Sequence, residues 1–274
     1  MNLKEKYSQI VKANEAIIAT NFYNLETLKG LLLAAGEINS PIILQLSESS
    51  INYMGIKTAV SMAKAALKEY GVEGWLHLDH GNSFDLVQKC LNAGFDSVMI
   101  DGSELSINEN IELTNRVVKM AESYDVPVEA ELGYIAKLGQ EHNVKDKYTK
   151  AEEAELFVKN TNVDALAIAI GTAHGFYKET PKLDFDRIAE IRKRIPNTVL
   201  VLHGSSGIHH SELKKAISLG INKINVATEF KDLFMKSLKE ILNSTNNIDL
   251  RQTFPKAIND VKELAIRKLE LTKR

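Results

Sequence analysis

Gly74-Trp75-Leu76-His77-Leu78-Asp79-His80-Gly81 is a short apolar run that stops abruptly in two polar, chemically capable side chains, Asp79 and His80. Burying a carboxylate and imidazoles at the end of a strand costs several kcal/mol unless they are paired or bind a metal. Ser83 follows as an N-cap, and Asp85 to Leu91 after it carries a helical pattern. A second helical pattern, over about 56–70, precedes the run. The strand is therefore one member of a strand–helix alternation.

The same unit recurs in both directions. Strands are expected at 16–21, 41–47, 74–81, 97–102, 127–133, 165–171, 198–204 and 221–227. Helices are expected near 3–13, 25–35, 56–70, after Ser83, then at 107–123, 150–159, 184–193, 210–219, 229–243 and 254–271. Such alternation means parallel strands joined by crossover helices. Eight units in about 250 residues is the arithmetic of a closed (β/α)8 TIM barrel, here with extra N- and C-terminal helices. An open doubly wound sheet would seldom need eight. No linker, low-complexity segment or further repeat breaks the pattern, so residues 1–274 read as a single barrel domain.

The chain has 274 residues, 44% hydrophobic and 26% charged, with a net charge of −2. That balance offers no basic field for nucleic acid or an anionic membrane. The single cysteine, Cys90, excludes an internal disulfide framework and fits a reducing cytoplasm. Its helical surroundings mark it as a packed thiol rather than a nucleophile. The N-terminal residues lack a signal-peptide core, and no run approaches the roughly 18 apolar residues of a membrane span.

In such a barrel chemistry sits at the C-terminal strand ends. Here those ends carry Thr20-Asn21, Ser47, Asp79-His80, Asp101, Glu131, His174, His203-Gly204-Ser205-Ser206, and Asn225 with Thr228. Alternation of side chains places His77, Asp79, Glu129, Glu131, Lys223 and Asn225 inside the barrel, opposite the apolar residues that meet the helices. Glu129 and Lys223 are expected to neutralise each other in a lower layer, because unpaired buried charge is costly. Asp79, Glu131 and Asn225 form a working layer above.

Three strand-like runs end in histidine followed by glycine: His80, His174 and His203. Three such residues on strands three, six and seven suit an open site for a catalytic divalent ion such as zinc. A lone histidine there would be a hydrogen-bonded structural residue. Asp101 and Glu131 either orient these histidines or serve a second or displaced metal position. The small-residue turn His203-Gly204-Ser205-Ser206-Gly207 and the helix opening at Asn225-Val226-Ala227-Thr228 lie where this barrel type binds phosphate. Lys178 could add a charge. Taken one at a time these are ordinary surface features; together, at that address, they suggest an anion site.

Five motifs now converge: Leu76-His77-Leu78-Asp79-His80, Val128-Glu129-Ala130-Glu131-Leu132-Gly133, Gly171-Thr172-Ala173-His174-Gly175, Leu202-His203-Gly204-Ser205-Ser206-Gly207 and Lys223-Ile224-Asn225-Val226-Ala227-Thr228-Glu229. In this order they resemble the class II, zinc-dependent ketose-bisphosphate aldolases, which include fructose- and tagatose-bisphosphate aldolases. The last motif looks more like the tagatose branch. The resemblance implies that His80, His174 and His203 hold zinc and that Asp79 exchanges the C4 hydroxyl proton. Asp101 and Glu131 match acidic positions around the metal. Gly175, Lys178, Gly204, Ser206, Asn225 and Thr228 match the site for the dihydroxyacetone phosphate half, with a monovalent cation (Na+ or K+) often nearby. Ser47 matches a serine facing the substrate. Glu141 matches a mobile glutamate that protonates the enediolate carbon. A homodimer or homotetramer in the cytoplasm is implied as well.

The chain also departs from the family pattern. The loop after the fifth strand is about two residues longer and lacks paired glycines, and His142 and Asn143 stand where acidic residues are common. Ile258 occupies a position at which the family often has a basic residue for the far phosphate. The readings in competition are an aldolase for a ketose lacking that phosphate and a non-catalytic sugar-phosphate-binding subunit. Retention of Asp79 and Glu141 favours catalysis. A Schiff-base aldolase needs a lysine at a strand end, and strand six here ends in His174.

Overall fold

The computed structural model describes residues 1–135, 148–175, 177 and 181–273. Its strands are β1 (Ile17–Asn21), β2 (Ile42–Ser47), β3 (Gly74–Gly81), β4 (Ser97–Ile100), β5 (Val128–Leu132), β6 (Ala165–Ile168), β7 (Val199–Leu202) and β8 (Ile221–Val226). All pair in parallel with their sequence neighbours, and β8 pairs with β1, so the sheet closes into the expected (β/α)8 TIM barrel. At closure Ile17 lies opposite Lys223 and Ala19 opposite Asn225.

The helices are α1 (Leu3–Ala13), α2 (Leu25–Glu37), α3 (Glu48–Met54), α4 (Ile56–Glu69), α5 (Phe84–Ala93), α6 (Ile107–Glu122), α7 (Ala151–Thr161), α8 (Phe185–Arg194), α9 (His210–Ser218), α10 (Thr228–Ser244), α11 (Leu250–Thr253) and α12 (Pro255–Leu269). Asn2, Asn24 and Ser106 start helices through capping boxes, and Ser83 caps α5 as expected. The short helices α3 and α11 were not anticipated. In α3 only Ser50 and Ile51 are buried, so its seven residues carry no apolar stripe for periodicity to detect.

The outward faces of the strands, such as Leu44, Leu76, Leu78, Val98, Ala130, Leu166, Leu200 and Ile224, pack into the helical shell. A second apolar cluster fills the lower barrel: Ile17, Ile43, Trp75, Ala165, Ala167, Val199 and Val201 meet Leu3, Tyr7 and Ile10 of α1, which closes the floor. α12 lies against α2, where Gly30 admits Val261 and the Ile258 carbonyl at a distance that a Cβ could not tolerate. Ile258 is half-buried in that helix. Cys90 is buried in the core; burial, helped by Glu48, pushes its thiol up to about 12, which fits a packing role.

Candidate metal centre and substrate cleft

Asp79 and His80 are consecutive, and strict alternation would send them to opposite faces. The chain resolves this with a left-handed backbone at His80, φ 51°, and a shift in the β3–β4 register between Leu78 and Gly81. A bulge of this kind re-aims a side chain at the cost of local strain. Both residues then reach the mouth of the barrel, where each lines the same cleft.

His80, His174 and His203 come together there: one ring nitrogen from each lies within 4.8 Å of the others. His80 Nδ1 lies 2.7 Å from Asp101 Oδ2, and His203 Nε2 lies 2.9 Å from Glu129 Oε1. An ionised carboxylate only accepts, so both of these nitrogens carry hydrogen. The opposite nitrogens, His80 Nε2 and His203 Nδ1, face each other at 3.0 Å: Nδ1 of His203 is left as an acceptor, and His80 Nε2 donates to it while that ring is protonated. Glu131 Oε2 lies 3.6 Å from His203 Nδ1 and has no hydrogen-bond partner among the described residues. Two imidazole nitrogens and a carboxyl oxygen converging at these distances fit a cation in place of the protons they hold without one. His80, Asp101 and Glu131 form a second, overlapping group of possible ligands. In this geometry Asp101 occupies the outer nitrogen of His80 and is itself held by the backbone N–H and hydroxyl of Ser103, at 3.1 and 2.7 Å.

Charge follows from these contacts. Burial opposes the charged form of His80, but the Asp101 bond with Asp79 and Glu131 outweighs it and raises the imidazole to about 10. Burial, with repulsion from Asp101, pushes the Glu131 carboxyl up to about 8. His174 falls to about 3, through burial and the neighbouring His80 and His203. The same causes run through Asp79, where burial is overcome by His80, His203 and the Asn21 bond and the carboxyl is lowered. Asp79 takes a 2.9 Å hydrogen bond from Asn21 and longer ones, 3.5 Å each, from Gln45 and Asn225. It therefore sits at the mouth as an ionised carboxylate with a fixed orientation.

The lower layer forms as expected and does more than expected. Lys223 Nζ lies 2.6 Å from Glu129 Oε2, with all three of Lys223, Glu129 and His203 at 0% exposure. The expectation of simple neutralisation did not include the bond from His203 to Glu129. His77 also joins this layer, with Nδ1 at 2.8 Å from Ser97 and Nε2 at 3.3 Å from Lys223.

Gly175, Gly204, Ser206, Asn225 and Thr228 line one side of the cleft with Asp79, His80 and His174. Gly204 has φ 67°, and a Cβ there would collide with the Ala173 carbonyl. The Tyr177 hydroxyl joins the same two loops: it accepts from the Ala173 N–H at 2.7 Å and lies 2.7 Å from the Gly204 carbonyl. α10 begins at Thr228 with no side-chain cap, which leaves a helix N-terminus facing this side. Ser205 is different. Its hydroxyl donates to Leu202 O at 3.2 Å and its N–H to Asn225 O at 3.2 Å, so both donors are used inside the fold. Ser206, not Ser205, is among the residues that line the cleft.

Ser47 lines the wider cleft of about 780 Å³, together with Asp101, Glu131, Tyr23, Asn82, Ser103 and Lys231. Sequence reading did not single out Tyr23 or Lys231. Burial and the charge of Asp79 raise the Tyr23 phenol to about 12, and Lys231 Nζ lies 5.7 Å from its ring centroid. The expected residues Glu141 and Lys178, and also His142 and Asn143, lie outside the described residues. His209 caps α9, accepting from the Ser211 N–H, and His210 is exposed, consistent with solvated positions. No helix of the described residues is long and apolar enough to cross a membrane.

A closed parallel barrel whose C-terminal mouth gathers three histidines, ionisable carboxylates and a helix N-terminus has the architecture of a barrel enzyme, with a group of possible metal ligands at its mouth. Comparison with known proteins narrows the class. The family model of class II fructose-bisphosphate aldolases matches residues 1–274. A fructose-bisphosphate aldolase of Helicobacter pylori is 38% identical, over 96% of this chain and 97% of its own. The YdjI aldolase of Escherichia coli K12 superposes with a TM-score of 0.88 at 32% identity, covering 99% of this chain and 97% of that one. A putative fructose-1,6-bisphosphate aldolase of Coccidioides immitis gives 0.87 at 28%, covering 97% and 94%. The chain belongs to the class II fructose-bisphosphate aldolase family and is a carbon–carbon lyase.

Proposed function

We propose that this aldolase reversibly cleaves a ketose 1,6-bisphosphate of the fructose or tagatose type into dihydroxyacetone phosphate and an aldehyde such as glyceraldehyde 3-phosphate. The observation that carries the reading is that Asp79 lines one cleft together with His80 and His174 of the histidine cluster and with Gly175, Gly204, Ser206, Asn225 and Thr228. His80, His174 and His203 would hold a divalent ion, with zinc the best match to an imidazole set. When bound, such an ion supplies Lewis-acid polarisation of the substrate C2 carbonyl.

The protein groups do the rest. Asp79 takes the proton of the C4 hydroxyl as the C3–C4 bond breaks, and its three amide partners keep the carboxylate aimed. Gly175, Gly204, Ser206, Asn225 and the Thr228 helix start would receive the phosphate of the dihydroxyacetone half, near a monovalent cation. Ser47, which lines the wider cleft, would face the substrate. Glu141 would protonate the carbanion carbon, and Lys178 would add a cation for the phosphate. Lys231, the only Lys or Arg lining the wider cleft among the described residues, would receive the far phosphate in place of the uncharged Ile258. A homodimer or homotetramer in the cytoplasm completes the reading.

Ile258 also supports a second reading, a ketose without the far phosphate. One experiment separates the two: cleavage of fructose 1,6-bisphosphate, tagatose 1,6-bisphosphate and the corresponding 1-phosphates, before and after exhaustive chelation with EDTA. The proposal expects bisphosphate cleavage that chelation abolishes and zinc restores. Activity that survives complete metal removal would overturn the metal reading, and a preference for the 1-phosphates would overturn the bisphosphate.

A further inference from the structure

We propose that Glu129, held by Lys223, is a positioning residue that fixes the tautomer of His203 so that Nδ1 rather than Nε2 is offered to the metal. The inference rests on the reading of His80, His174 and His203 as a metal site and goes beyond it, because it assigns work to a layer below the ligands.

The geometry is specific. Glu129 divides its two oxygens: Oε2 lies 2.6 Å from Lys223 Nζ, and Oε1 lies 2.9 Å from His203 Nε2. Lys223 has donors only, so Oε2 accepts from it, and Oε1 has nothing to offer His203 except an acceptor. His203 Nε2 must then carry the hydrogen. Its Nδ1 is left bare, 3.0 Å from His80 Nε2. Asp101 imposes the opposite assignment on His80, holding hydrogen on Nδ1 at 2.7 Å, so that Nε2 is the nitrogen that gives up its proton to a metal. The two histidines thus use different nitrogens, and each choice is dictated by the carboxylate behind it. His77 supports the arrangement from the far side, with Nε2 at 3.3 Å from Lys223 and Nδ1 at 2.8 Å from Ser97. Neutralising Lys223 would need a carboxylate in this layer; it would not need Oε1 in line with an imidazole.

A neutral pair with and without an acceptor separates positioning from charge balance. In the Glu129→Gln/Lys223→Met double variant the amide oxygen can accept from His203, while the amide N–H is free to donate to His77 Nε2. In Glu129→Met/Lys223→Met the pair is equally neutral and the acceptor is gone. Zinc affinity is read by competition with a chromophoric chelator on the full chain, with circular dichroism and melting curves as folding controls. The proposal expects the Gln/Met variant to stay within about threefold of wild type and the Met/Met variant to lose about tenfold to a hundredfold. Equal affinity in the two variants would overturn it.

Should either variant fail to fold, the wild-type chain supplies the test. Long-range proton–nitrogen correlation of the histidine rings in the zinc-loaded protein should show His203 protonated at Nε2. An Nε2 without hydrogen would overturn the proposal. A wild-type chain that binds no zinc would overturn the metal reading itself, which is a distinguishable failure.

Discussion

The side-chain amide of Asn21, at the end of β1, donates a 2.9 Å hydrogen bond to Asp79 at the end of β3. Two strands away in sequence, Asn21 thus stabilises the ionised form of the residue proposed to take the C4 proton. Asn21→Ala removes a hydrogen bond to a charged group, worth about 1.5–3 kcal/mol. The expected outcome is a kcat/KM lower by roughly tenfold to a hundredfold. The sign of the pH effect follows too: loss of a bond that lowers the Asp79 carboxyl moves the acid limb of the kcat/KM profile to higher pH. An unmoved limb would separate Asn21 from the base.

Cation uptake should release protons. In the metal-free protein His80 is raised to about 10 and Glu131 to about 8, so both carry protons at neutral pH. Ligation requires the bare imidazole, and a cation beside Glu131 favours its ionised form. Zinc affinity should therefore climb as pH rises through 8 toward 10. Calorimetric titration at pH 7 in two buffers of different protonation enthalpy should show about one proton or more released per ion. A buffer-independent heat would contradict this.

Lys231 gives the substrate prediction. Lys231→Met should lower kcat/KM for the ketose 1,6-bisphosphate by roughly tenfold to a hundredfold, the worth of one charge-assisted contact. Cleavage of the matching ketose 1-phosphate should stay within about twofold, since that substrate has no group for Lys231 to meet. Equal losses on both substrates would place Lys231 elsewhere in the reaction.

His77 makes acid stability measurable in the lower layer. Burial and the repulsion of Lys223 depress it to about 3 from an ordinary 6.5. Between these values the unfolded chain binds a proton that the folded chain does not, so stability falls as pH drops from about 6.5 toward 3. Glu129 adds to the acid end: burial opposes its charge, but Lys223 and His203 hold the carboxyl well below its ordinary value, and that stabilisation is lost as the pH falls. His77→Gln keeps an acceptor for Lys223 without a titrating ring. Its melting temperature should decline less steeply than that of wild type between about pH 6.5 and 4. Parallel declines by scanning calorimetry would refute the assignment.

The barrel was legible because its strands are short apolar runs closed by polar residues, as at Leu76–His80, and because caps such as Ser83 mark helix starts. The inward faces of Glu129, Glu131, Lys223 and Asn225 followed from alternation alone. What alternation could not supply was the turn at His80, since a left-handed residue in a strand leaves no compositional mark. Nor could it show that Glu129 meets His203: the two lie 74 residues apart and touch only through the register of a closed barrel. Ser205 and Ser206 are adjacent and chemically alike, and only the fold distinguishes the one bound to Leu202 O from the one lining the cleft.

The Tyr177 hydroxyl, shared between Ala173 and Gly204, carries a mechanical consequence. His174 and His203 follow different strands, β6 and β7, yet the segments that carry them are riveted through a single oxygen atom. The spacing between these two imidazoles is thus a property of a coupled pair of loops, and a disturbance on either side is transmitted to both. Any drift in one would have to be matched by the other for the cluster to keep its shape.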